Sequence, residues 1–408
     1  MEAISMLAAD AQGSNFAPGA NALQRVSTSE FDVDTTRGSI LHSAMKRMRA
    51  RIPPALALYL LALAIAGIPM LLGLFLTPHD LLVTSATRPL RLYNDWNALF
   101  MLAVSFPFIF IFCLTDQRAL SRSLHMVQLD GTVSMSDEVS QILAAKWRRR
   151  FFRVNVGGQF VGFAVGLVIA IVNFRIYSSD SLGYWIADAG GLLPIGVAFL
   201  FCLWFFYGVI TLYVFRNIAI AFLFNDIVKR TDLHLLPLHP DRSGGLHPVG
   251  QLGLRNQYVL MLLGVNLVLL IAVSMIYLQP PRSLYQLIAV AIVSYALLGP
   301  LVFVAPLLPF RGGMLRMKTE LMAEVAQRLR VELQRMRERI RSEPISKDDE
   351  ELIDRLRKIA SFVDELPVWP FDASTLRKFL AAYVLPVLTT AGFPLAKIAI
   401  ELVQTHLP

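Results

Sequence analysis

Six apolar runs of about twenty residues, separated by polar segments, dominate the pattern from Pro54 to Phe310. An α-helix needs about twenty apolar residues to cross roughly 30 Å of hydrocarbon, and in lipid its backbone groups must be satisfied internally. The runs do not alternate in polarity, which argues for helices over transmembrane strands. The expected spans are Pro54–Leu76, Asn97–Thr115, Val154–Phe174, Leu192–Phe224, Tyr258–Tyr277 and Leu284–Phe310. The fourth exceeds a straight crossing, which predicts tilt or a helical extension beyond the membrane. Segment 116–150 reads as polar and only partly amphipathic.

After Arg311 the period changes. Met317, Leu321, Val325, Leu329, Leu333, Met336 and Ile340 recur every three or four residues, placing one apolar stripe on a charged helix over 314–341. Ser342-Glu343-Pro344 breaks it, and a second amphipathic helix follows over 348–366 with Leu352, Leu356, Ile359, Val363 and Leu366 as its stripe. The pair predicts a helical hairpin over 311–372, closed by a turn whose prolines hold Trp369 and Phe371. Segment 373–408 stays apolar as far as Pro394. Pro386, Gly392 and Pro394 predict a broken helix there, interfacial or re-entrant, in preference to a seventh span. Residues 1–50 are polar and rich in small residues, and disorder is expected. The fold class that follows is all-α: a polytopic membrane helical bundle of six spans (51–310) with a cytoplasmic helical C-terminal domain.

Composition agrees. The chain is 55% hydrophobic and 17% charged, where soluble domains carry about a quarter charged residues. The net charge of +8 does not argue for nucleic acid, because the cations sit beside apolar runs, where membrane topology accounts for them. Segments 116–153 and 226–257 hold eleven Lys and Arg, against Arg88, Arg91, Arg175 and Arg282 in the opposite loops. The N-terminal cluster Lys46, Arg47, Arg49 and Arg51 abuts the first span. Both the N-terminus and the C-terminal domain are therefore expected in the cytoplasm, with the spans in a bacterial inner membrane. No signal peptide is expected ahead of Pro53. Cys113 and Cys202 both fall within spans and read as buried small hydrophobes.

Potential chemistry concentrates in the loop 226–257. His234, His239, Asp241 and His247 are candidate ligands for a divalent metal such as zinc. Their spacing matches no strong metal signature, and His-Pro, Gly-Gly and the neighbouring leucines also describe a structured turn, so no cofactor is expected. Arg242 with the backbone of Ser243, Gly244 and Gly245 is a candidate nest for an anion or lipid headgroup. The loop H-P-D-R-S-G-G-L (239–246) and the turn W-P-F-D (369–372) resemble motifs of uncharacterised bacterial multi-pass membrane proteins, a resemblance that implies no activity.

Gly158, Gly162 and Gly166 form a row at intervals of four, a spacing that lets helices approach closely. Arg216 and Asn266 are the notable polar groups in the spans; Arg216 is expected to snorkel or to pair with Asp226. Pro300, Pro306 and Pro309 predict a hinge or gate in the sixth span. No acid is expected inside a span, which counts against a transporter. The leading expectation is a homo-oligomeric channel-like or sensor protein controlled by its cytoplasmic helices and the 226–257 loop. One alternative is a membrane enzyme using the histidine loop on a lipid-linked substrate. Another is a scaffold that recruits a cytoplasmic protein through 311–372. The bilayer itself is the one partner common to all three.

Overall fold

Several helices that begin as spans run well past the end of their apolar stretch. The computed structural model describes residues 39, 54–77, 91–178, 184–188, 191–234, 239, 241, 243–277, 282–339, 347–371, and 376–388 without 382, 385 and 387. Helix α1 covers Pro54–Leu76 and α2 Trp96–Leu129. Helix α3 covers Asp137–Tyr177, α4 Pro194–Arg230, α5 His247–Tyr277 and α6 Arg282–Phe303. Among the described residues these six are long and apolar enough to cross a membrane. Two more helices, α7 (Leu308–Arg339) and α8 (Lys347–Asp364), follow. The expectations for the N-terminal segment 1–50, the break at 342–344 and the chain after 388 lie outside the described residues.

The helix of the second span runs on beyond Thr115. Helix α2 continues through Asp116 to Leu129 because Leu120, Leu124 and Val127 repeat at helical spacing and are buried. Helix α3 starts at Asp137, well before Val154, where Ser136 accepts from the Val139 amide at 3.4 Å and Asp137 and Glu138 favour the positive helix end. The end of the bundle carrying Lys146–Arg150, termed the basic end below, is thus a helical layer continuous with the spans. Two short strands tie it together: β1 (Val133–Ser134) pairs antiparallel with β4 (Asp232–Leu233), Val133 opposite Leu233. At the opposite end β2 (Ala187–Asp188) pairs with β3 (Gly191–Leu192).

Among the described residues, helices α3 and α4 make the most extensive packing. A Cβ on Gly162 would lie 2.6 Å from the Gly208 carbonyl oxygen, one on Gly166 would meet the Trp204 carbonyl, and one on Gly158 would lie 3.1 Å from Leu212. The glycine row therefore faces α4 of the same chain.

Helix α6 ends at Phe303 and the chain turns through 304–307 before α7. Pro300 lies inside α6, Pro306 in the turn, and Pro309 in the first turn of α7. Helix α7 is anchored at its start by Phe310 against Phe224 (5.1 Å between rings) and by the fully buried Met314. Helix α8 folds back on it, burying Leu356 and Val363. Beyond α8, Arg311 lies 4.5 Å over the Trp369 ring, and Phe371 packs on Phe303. The described residues of 376–388 are helical and lie on α5 and α6: Phe379 stacks on Phe303 at 3.9 Å, and a Cβ on Gly264 would meet Pro386.

Candidate functional site

Proline explains where the polar side chains of the spans go. A proline has no N–H, so the carbonyl four residues earlier loses its helical donor, a costly loss in an apolar medium. Pro107 stands four residues after Ala103, whose carbonyl accepts from the Tyr59 hydroxyl of α1 at 3.0 Å. Pro300 stands four after Ala296, whose carbonyl accepts from the Tyr383 hydroxyl at 2.6 Å. Pro306 stands four after Val302, whose carbonyl accepts from the Asn256 amide of α5 at 3.1 Å. In these three places a carbonyl left short of a backbone donor is completed by a side chain from elsewhere in the fold.

Asn256 is also the hub of a buried network. Its side-chain oxygen accepts from the Tyr213 hydroxyl at 2.5 Å, and its nitrogen donates to the Asn217 carbonyl oxygen at 2.6 Å. Asn217 in turn donates to the Tyr213 backbone at 3.0 Å. Next to Asn217 on α4, Arg216 is fully buried and lies 3.5 Å from Asp116 of α2, itself 1% exposed. Arg216 donates to the Cys113 carbonyl at 2.9 Å. From α5, Arg255 donates to the Phe112 carbonyl at 3.0 Å and to the Thr115 hydroxyl, and lies 5.1 Å over the Phe112 ring. Two arginines on different helices thus grip the same turn of α2. Neither carboxylate oxygen of Asp116 meets a hydrogen-bond donor among the described residues.

Two expectations are corrected here. Arg216 pairs with Asp116 rather than Asp226, which instead accepts from Lys146 Nζ at 2.6 Å and from Trp147 Nε1 at 3.0 Å. The apolar helices also enclose acids. Asp116 is one, and Asp95 is the other: fully buried at the N-cap of α2, it accepts from the Ala98 amide at 3.0 Å, from Trp185 Nε1 at 2.9 Å and from the Tyr184 hydroxyl. Both sit at the edges of apolar runs, where a hydropathy window assigns them to loops. The apolar repeat beyond Asp116 was the available signal that its helix continues. Asn266 donates to Ser105 Oγ at 2.6 Å, joining α5 to a π-helical turn of α2 at Met101–Ser105. Such turns recur at functional sites.

The histidine loop folds around Asp241. One carboxylate oxygen accepts from the Ser243 and Gly245 amides at 2.9 and 3.1 Å; the other accepts from Gly245 and His247 at 3.0 and 3.1 Å. His239 Nδ1 lies 2.8 Å away. Gly244 and Gly245 take positive φ (67° and 89°) to aim those amides inward. Burial pushes the Asp241 carboxyl up, but these hydrogen bonds outweigh it and hold the carboxyl below its ordinary range. Two of the three amides expected to form an anion nest, those of Ser243 and Gly245, thus donate to the side chain of Asp241, which also caps α5 through His247. Arg242 lies outside the described residues.

His234 is exposed and bonds through its backbone to the Thr132 carbonyl at 2.8 Å, while Nε2 of His247 lies 3.2 Å from the Gln251 side chain. Among the described residues no three His, Cys, Asp or Glu side chains are placed to share a metal ion. No protein-family model, curated protein or solved structure matches the chain.

Proposed function

We propose that this chain is an integral membrane protein of the sensor or channel-like class, in which helices outside the bilayer govern the spans through the buried polar network. The observation that carries this reading is the bond from Asn256 to Val302. It links the core of α4 and α5 to the break in the chain from which α7 departs. A buried charge pair such as Asp116–Arg216 is costly in a membrane and marks function by default. It lies beside that hub and joins α2 to α4.

In this reading the basic end faces the cytoplasm of a bacterial inner membrane, which the excess of cations there supports. The hairpin over 311–372 is then a cytoplasmic domain. The segment from 373 enters the bilayer as a broken or re-entrant helix. The contacts Lys378 with Gln257 and Pro386 against Gly264 on α5, with Tyr383 against Ala296 on the neighbouring α6, support this, because they advance along α5 toward its middle. A second reading, recruitment of a protein partner, is favoured by Val331, Leu333, Leu352 and Ile359, which stay exposed on α7 and α8.

The test places spin labels at Ser361 on α8 and Gln251 on α5, both exposed positions, in reconstituted protein. Substituting Asn256→Leu should shift or broaden the distance between them, and ion flux should change with it. An unchanged distance distribution together with no flux from either protein would sink the sensor or channel-like reading.

A further inference from the structure

Helix α3 touches the bundle along one face. Trp147, Phe151, Gly158, Gly162 and Gly166 are buried against α4, while Phe160, Leu167, Ile171 and Phe174 on the far side are exposed. Stepping back from Phe160 by seven residues gives Arg153, and by four more Arg149, so both arginines continue the exposed stripe at helical spacing. Both side chains are exposed.

Their depth follows from the sequence. Between Arg153 and Arg175 the run 154–174 carries no charge. At about 1.5 Å per residue it is about 31 Å long, the thickness of a hydrocarbon core. Arg153 therefore stands at the hydrocarbon boundary on the basic end, and Arg149 one turn beyond it, at the level of lipid phosphates. Helix α3 cannot rotate away from this orientation, because Gly162 packs on Gly208 below and Lys146 and Trp147 bond Asp226 above.

Charge completes the argument. The acid that α4 offers here is Asp226, which is engaged by Lys146 and Trp147, with Arg150 at 3.6 Å. Among the described residues neither Arg149 nor Arg153 has an acid within ion-pair distance. Two guanidinium groups one turn apart suit the planar, multi-oxygen geometry of a phosphate.

We propose that Arg149 and Arg153 form a binding site for the phosphate of an anionic phospholipid, whose acyl chain lies along Phe160 and Leu167. The proposal rests on the bundle being embedded in a bilayer and not on the sensor or channel-like role. Each arginine near a membrane surface contributes about a fivefold gain in affinity for anionic lipid.

The full chain, purified in neutral detergent, is titrated separately with phosphatidylglycerol, phosphatidylcholine and inorganic phosphate. Native mass spectrometry reads the bound lipid, and thermal unfolding reads its effect. Phosphatidylglycerol should bind and raise the melting temperature, and phosphatidylcholine should bind at least about tenfold more weakly. The double substitution Arg149→Gln with Arg153→Gln should weaken phosphatidylglycerol binding by about tenfold or more while leaving the lipid-free melting temperature unchanged. Arg175→Gln, at the opposite end, should leave the binding intact. Equal binding of phosphatidylcholine, wild-type binding by the double variant, or an equal effect of inorganic phosphate would each overturn the proposal. Flux and spin-label distances are read separately, so failure of the lipid site and failure of the functional reading are distinguishable. If the double variant does not purify, Arg149→Gln alone should show about a fivefold loss, and its absence counts against the site equally.

Discussion

The Asn256 side chain donates to the Val302 carbonyl, which the missing N–H of Pro306 leaves without its helical donor. A kink foreseen from proline and a buried asparagine on another helix are two halves of one feature. Without the asparagine the broken span would expose a bare carbonyl to an apolar interior.

Replacing Asn256 with Leu should therefore destabilise the protein by about 2–4 kcal/mol, since Val302, Asn217 and Tyr213 all lose a partner. Thermal unfolding in detergent should show it. Adding Pro306→Ala should recover part of the loss by restoring an N–H to the Val302 carbonyl. No recovery would mean that the proline does not create the demand.

Tyr383→Phe makes the same argument for the C-terminal segment. It removes the donor to the Ala296 carbonyl beside Pro300 and should cost about 1–3 kcal/mol. In the background of Pro300→Ala the cost should shrink. A cost of equal size in both backgrounds would detach the hydroxyl from the proline.

Arg216→Met leaves Asp116 buried and unpaired, and should cost about 3–5 kcal/mol. Pairing it with Asp116→Leu should restore most of that stability, because apolar groups fill the site without a charge. If the network couples the helices, the stable double variant should nevertheless lose the response of the α8 to α5 distance. A double variant as unstable as the single one would show that the pair holds the fold.

Gly162→Ala places a Cβ 2.6 Å from the Gly208 carbonyl and must push α3 from α4. A loss of about 1–3 kcal/mol is expected. Gly157→Ala, with nothing within 4 Å of its added Cβ, is the control and should be neutral or slightly stabilising. Equal effects would refute the close approach.

The loop around Asp241 should respond to acid. Its carboxyl is held below the ordinary value in the folded state, so the stabilisation is complete above the unfolded value and is lost as pH falls through the lower folded one. Amide exchange at Gly245 and His247, corrected for intrinsic rates, should quicken there, below about pH 4. In Asp241→Asn the same amides should exchange quickly at neutral pH, with the acid step gone. Protection unaffected by either change would mean the carboxylate is not what orders the loop.

Hydropathy was enough for six membrane-length helices. They rest on local information, apolar runs long enough for a bilayer. The helices continue past the span limits at Thr115 and Val154, because hydropathy reports where the membrane stops and not where hydrogen bonding does. Arg216 neither snorkels nor meets Asp226 for a related reason: Asp226 is nearer in sequence, but Asp116 is nearer in space. The tertiary fold alone decided which donors complete the carbonyls of Ala103, Ala296 and Val302 and which acids lie inside. The physical reason is that such polar groups are satisfied across helices, by residues whose separation along the chain carries no signal.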